Sequence, residues 1–105
     1  MIIKGVLREE LRNSRRMLGR YEKALAKLPR GSLVKRKIKG HEYYYLIFRE
    51  NGKVRSVYQG KSVPERDILK YRKAKERRAE YRKSLSQLKK QIRFLERALR
   101  GKEDV

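Results

Sequence analysis

The sequence predicts an α+β fold: a long helix, a three-stranded antiparallel sheet and a second long helix, the two helices closing into an antiparallel coiled-coil hairpin. Three observations carry this. Apolar residues repeat in heptads at both ends of the 105-residue chain, the middle third changes to an alternating aromatic and β-branched pattern, and turn residues cluster at the two joints. The joints are Pro29-Arg30-Gly31-Ser32 and Gly60-Lys61-Ser62-Val63-Pro64, which hold both prolines of the chain. They divide one expected domain, 1–105, into a helix over 1–28, a sheet over 31–60, a helix over 63–100 and a tail over 101–105.

In the first helix the small or apolar positions are Ile3, Leu7, Leu11, Ser14, Leu18, Tyr21, Leu25 and Leu28, in steps of four and three. The second helix opens on Ser62-Val63-Pro64-Glu65, a capping-box pattern with a serine N-cap and an early proline. Its heptad runs through Tyr71, Ala74, Arg78, Tyr81, Leu85, Leu88, Ile92, Leu95 and Leu99, and Gly101 offers a stop. Laid antiparallel, the two seams match best with Tyr21 against Arg78, Leu18 against Tyr81, Ser14 against Leu85, Leu11 against Leu88 and Leu7 against Ile92. Arg78 is then expected to lie on the Tyr21 ring as a cation–π contact. A two-helix seam buries little surface for its length, so it should either dimerise into a four-helix bundle or lean on the middle segment, and a homodimer is the expectation.

The strands are placed near Ser32–Lys39, Tyr43–Arg49 and Lys53–Tyr58. Turn length decides which residues share a face, because a one-residue slip in register exchanges the two faces. A two-residue Asn51-Gly52 turn sets Phe48 opposite Arg55 and mixes charge into the apolar side. Three-residue turns at Gly40 and Gly52 sort the pattern better. They give an inner face of Val34, Ile38, Tyr44, Leu46, Phe48, Val54 and Tyr58, with Arg36 as its misfit. The outer face then gathers Lys35, Lys37, Tyr43, Tyr45, Ile47, Arg49, Lys53, Arg55 and Val57.

Composition points to the partner. The formal net charge is +20, with 42% of residues charged. It is spread as +6 over residues 1–30, +6 over 31–63, +9 over 64–100 and −1 in the tail. A surplus of this size repels itself unless a polyanion compensates it, and nucleic acid is the densest common one. Arginine and lysine contact phosphates and guanine edges, while tyrosines stack on sugars or unpaired bases. The sheet candidates are therefore Lys35, Lys37, Tyr43, Tyr45, Arg49, Lys53 and Arg55. The dense run from Lys70 to Arg78 adds Lys70, Arg72, Lys73 and Arg77 at the root of the second helix.

The segments Gly31-Ser32-Leu33-Val34-Lys35-Arg36-Lys37, Tyr43-Tyr44-Tyr45-Leu46 and Arg49-Glu50-Asn51-Gly52-Lys53-Val54-Arg55-Ser56 resemble the AP2-like, arm-type DNA-binding module of mobile-element tyrosine integrases. They are also similar to small prokaryotic proteins in which such a sheet precedes a long helix. The resemblance covers about thirty residues and implies a sheet lying in the major groove, contacting it through Lys35, Lys37, Tyr45, Arg49, Lys53 and Arg55. The long helix on each side of the sheet departs from that module.

Other chemistries find little footing. The chain has no cysteine and one histidine, which removes disulfides, thiolate nucleophiles and Cys-based zinc sites. His41 and Glu42 are adjacent turn residues with no second histidine or acidic cluster, so no enzyme activity, metal or cofactor is expected. No run approaches the roughly 18 apolar residues of a membrane span, and the start is too broken by charge to form a signal-peptide core. A cytoplasmic, nucleoid-associated location is expected. The Lys, Arg and Glu usage without Cys also fits a thermophile. The reading is a small DNA-binding protein acting in DNA architecture, transcription or mobile-element control. An RNA-binding protein and a coiled-coil interaction module are the alternatives.

Overall fold

A computed structural model describes residues 3–101. The order is α1 (Ile3–Lys27), β1 (Ser32–Ile38), β2 (His41–Glu50), β3 (Lys53–Gly60) and α2 (Glu65–Leu99). The sheet is antiparallel in the order β1-β2-β3, and the helices form the expected hairpin. Among the described residues two compact units can be separated, one of residues 3–27 and 79–101, the other of residues 28–78.

In the helical unit the heptads account for what is buried. Leu11, Ser14, Leu85, Leu88, Ile92 and Leu95 are all buried, and each is a seam position. Leu11, Ile92 and Leu95 cluster together, with the partly buried Leu7, Leu18 and Leu99 packed against them. Ile3 continues the heptad in sequence but remains exposed.

The seam is offset from the expected pairing. The Tyr21 ring meets Tyr81, with centroids 5.7 Å apart and planes tilted by 57°, and Leu11 clusters with Ile92 and Leu95. Tyr21 and Leu11 thus meet seam positions further along α2 than the expected Arg78 and Leu88. An aromatic pair replaces an arginine that the expected register would have held at the seam, which spares a desolvation cost. Arg78 instead donates from its guanidinium to the Pro29 carbonyl at 2.7 Å, satisfying a backbone oxygen just past the end of α1.

The start of α2 also differs from the expected serine cap. The Pro64 carbonyl accepts from the N–H groups of Asp67 and Ile68, at 2.9 and 3.3 Å, so Pro64 stands at the cap position. Glu65 and Asp67 then place two carboxylates in the first turn, where the helix dipole favours them.

The sheet departs from expectation in its turns. Ile38 pairs with His41 and Glu50 pairs with Lys53, so both hairpins close through two residues, Lys39-Gly40 and Asn51-Gly52. All four turn residues have positive φ: 50° and 81° in the first turn, 51° and 78° in the second. These are type I′ turns, whose twist matches that of the flanking strands and for which Asn-Gly is a favoured dipeptide. Phe48 consequently faces Arg55, Leu46 faces Val57 and Tyr45 faces Tyr58. Tyr44 pairs with Gly60, leaving Gln59 as an extra residue in a bulge.

The apolar pattern had little authority over register here. None of the sheet residues is buried, so neither face gains decisively from collecting the hydrophobic side chains. Local turn chemistry therefore sets the pairing.

Gly31 lies close against β2. Its φ is 91°, and a Cβ there would lie 2.7 Å from the Ile47 carbonyl oxygen and 3.2 Å from Leu46 and Phe48 side-chain atoms. Gly40 has φ 81° but open space around it. Gly31→Ala should thus cost more than the about 1 kcal/mol expected of Gly40→Ala from its backbone conformation. Equal urea midpoints for the two variants would refute the close approach. Leu88→Ala should cost about 2–5 kcal/mol in the same measurement, as a buried seam leucine.

Candidate nucleic-acid interface

Alternation and the observed register assign each strand residue to a face. On one side lie Leu33, Lys35 and Lys37 of β1, Glu42, Tyr44, Leu46, Phe48 and Glu50 of β2, and Lys53, Arg55 and Val57 of β3. The other side carries Ser32, Val34, Arg36, Ile38, His41, Tyr43, Tyr45, Ile47, Arg49, Val54, Ser56 and Tyr58. The expected basic and aromatic face is therefore divided. Lys35, Lys37, Lys53 and Arg55 occupy the first side, while Tyr43, Tyr45 and Arg49 occupy the second.

The first side, the lysine face, is mixed in sign. Its two glutamates stand opposite lysines, Glu42 across from Lys37 and Glu50 across from Lys53. Lys35 Nζ lies 3.1 Å from Glu42 Oε2 and 5.6 Å from the centre of the Tyr44 ring. The hydrogen bond to Glu42, then the charge of that carboxylate, raises the Lys35 pKa above its ordinary value, with a smaller contribution from Tyr44. Lys35 is thus a cation throughout the neutral range. The stabilisation that goes with its raised pKa is present below the ordinary lysine pKa and is lost as pH rises through the raised value.

A cleft of about 790 Å³ runs between this region and the first turns of α2, lined among others by Leu33, Lys35, Tyr44, Arg66, Arg72 and Lys75. It brings together Lys35 and Arg72 from the candidate set. Arg66 and Lys75 join them, and sequence reasoning had passed over both. Lys70 stands over the Tyr71 ring at 5.6 Å, while Lys73 and Arg77 are exposed one helical turn apart.

The second side, the tyrosine face, forms an aromatic row. Tyr58 stands between Tyr43 and Tyr45, with ring centroids 6.0 and 5.6 Å away, and His41 lies 6.4 Å beyond Tyr43. Arg36 is over the Tyr45 ring at 5.5 Å. Arg36 and Tyr58 had been assigned to an inner face. The two-residue turn at Lys39-Gly40 puts Arg36 on this side and the one at Asn51-Gly52 puts Tyr58 here; Asn-Gly was the local sequence signal for the second.

Across residues 28–78 there are sixteen Lys and Arg against five Asp and Glu, a net of +11. Among the described residues, Lys35 is the one cation of this unit within 4.0 Å of a carboxylate. Arg30 and Arg78 are instead hydrogen-bonded to the backbone carbonyls of Arg49 and Pro29. Among the described residues no group of three His, Asp or Glu is placed to hold a metal ion, and no helix is long and apolar enough to cross a membrane.

Because Glu42 occupies Lys35, it competes with any anion seeking that ammonium. Glu42→Gln should release Lys35 and strengthen binding to a phosphodiester about two- to fivefold, the scale of one exposed ion pair. A weaker complex in a fluorescence anisotropy titration would show that Glu42 positions Lys35 rather than masking it.

Known proteins add one relation. No curated protein and no solved structure matches the chain. Residues 7–67, from the second turn of α1 through the whole sheet into the start of α2, match the family described as Domain of unknown function (DUF6788). That match spans more than half of the chain, and the protein belongs to this family.

Proposed function

We propose that this protein binds nucleic acid, with duplex DNA the favoured form, seating the phosphate backbone on the lysine face of the sheet and on the root of α2. One observation carries the reading: residues 28–78 hold sixteen cations, and Lys35 is the one paired with a carboxylate among the described residues. Exposed basic side chains without internal partners supply attraction to a polyanion at little cost in broken contacts. The cleft residues Lys35, Arg66, Arg72 and Lys75 give that attraction a shape.

Backbone contacts of this kind position a protein on a duplex without reading its sequence. The lysine-face residues Lys37, Lys53 and Arg55 continue the charge beyond the cleft, with Lys70, Lys73 and Arg77 extending it along the helix. A role in DNA architecture, transcription or mobile-element control fits such a binder. Structured RNA offers the same phosphate charge and is the comparison that the test must include.

The test is a titration of a labelled blunt duplex at several salt concentrations, beside a structured RNA of equal length. Neutralising six to ten phosphates predicts an affinity loss of about 10³ to 10⁵ between 50 and 200 mM salt. Lys37→Ala, Lys53→Ala, Arg72→Ala and Lys73→Ala should each lower the salt slope by about one and weaken all sequences alike. Tighter binding to the RNA would move the function to RNA. Absence of binding to either near physiological salt would overturn the proposal and point to a protein partner on the helical hairpin.

A further inference from the structure

The tyrosine face is exposed, apolar and free of acid. Val54, Tyr58 and Ile38 retain 62%, 53% and 44% of their accessible surface, and Tyr43, Tyr45 and Ile47 are half-buried. Both sheet glutamates lie on the opposite side, so the charged groups here are Arg36 and Arg49, with His41 at the edge. An exposed patch of this kind normally has an occupant. A second copy of the chain is a poor one, since apposing two tyrosine faces would bring the arginines of both together in chains that each carry +20.

We infer that this face takes unpaired nucleotides, stacking bases on the Tyr43, Tyr45 and Tyr58 rings while Arg36 and Arg49 hold the intervening phosphates. The inference rests on the nucleic-acid reading but concerns a separate surface, and it identifies the ligand class as single-stranded. Rings on neighbouring strands, 5.6 to 6.0 Å apart and tilted by 57°, do not stack flat on one another. Every base has a π-face, so such a row accepts bases without choosing among them. Arg36 beside the Tyr45 ring adds a planar cation that both stacks and pairs with phosphate. Bases inside an intact duplex are already stacked and cannot occupy these rings. A nucleic acid with paired and unpaired segments, such as a duplex bearing a single-stranded tail, would engage both sides of the sheet.

The experiment compares the full chain on three probes: a blunt duplex, the same duplex with a ten-nucleotide thymidine tail, and that duplex with an abasic tail of equal charge. The thymidine tail should raise affinity over the abasic tail by about five- to a hundredfold for each stacked base. The double variant Tyr45→Ala/Tyr58→Ala should remove most of this difference, leaving only what Tyr43 supplies, while blunt-duplex affinity stays unchanged. Tyr45→Phe/Tyr58→Phe should preserve it, because stacking uses the ring and not the hydroxyl. Circular dichroism and thermal melting report whether the alanine variant keeps its fold, and the phenylalanine variant carries the test if it does not. Equal affinity for the thymidine and abasic tails in the unaltered chain would overturn the inference. So would a tail preference undiminished by loss of both rings, or a dimer that dissociates when they are removed. Tail preference without blunt-duplex binding would sustain the inference while overturning the duplex reading, so the two fail separately.

Discussion

Leu11, Ser14, Ala74, Leu85, Leu88, Ile92 and Leu95 are the buried side chains among the described residues, and every one lies on the seam of α1 or α2. The hydrophobic gain that opposes chain entropy is concentrated on that seam. The sheet, inserted between the helices, has no comparable interior. Its strands are held by ladder hydrogen bonds, two type I′ turns and the close approach of Gly31 to Ile47. This division lets the sheet leave both faces accessible, an arrangement that a self-sufficient small β domain would not tolerate.

An exposed sheet with two chemically different sides is more useful for binding than a covered one. The lysine face mixes four cations with two glutamates, of which Glu42 is paired with Lys35. The tyrosine face carries fewer cations, no acid and nearly all of the aromatic contacts. Phosphate attraction and base stacking make different demands: the first needs many flexible charges, the second needs fixed planar groups free of competing carboxylates. The one-residue difference in turn length is what puts the lysines and the tyrosines on opposite sides.

Much of this was legible before the fold was known. The positions of both helices, three strands and both joints follow from periodicity and breaker residues, because helix and strand periods are local properties of the chain. Tyr71, Ala74, Arg78, Tyr81 and Leu85 were all placed on the seam, and none of them is exposed. Register was less legible. Sorting apolar residues onto one face presumes that a face is buried, and for Val34, Ile38, Val54 and Tyr58 that presumption misplaced the side chains. For Val54 and Tyr58, Asn51-Gly52 carried the answer in a local signal that outweighed the pattern; Val34 and Ile38 follow the two-residue turn at Lys39-Gly40.

The sequence alone determined the helix–sheet–helix order, the heptad seams and the excess of positive charge, since these depend on composition and near-neighbour spacing. Tertiary structure decided the helix offset that brings Tyr21 to Tyr81, the cleft joining Lys35 to Arg66, Arg72 and Lys75, and the gathering of Tyr43, Tyr45 and Tyr58. Each of these depends on how segments distant in sequence align. That alignment is a balance of turn geometry, ladder pairing and side-chain desolvation across the assembled chain, and no single stretch of residues contains it.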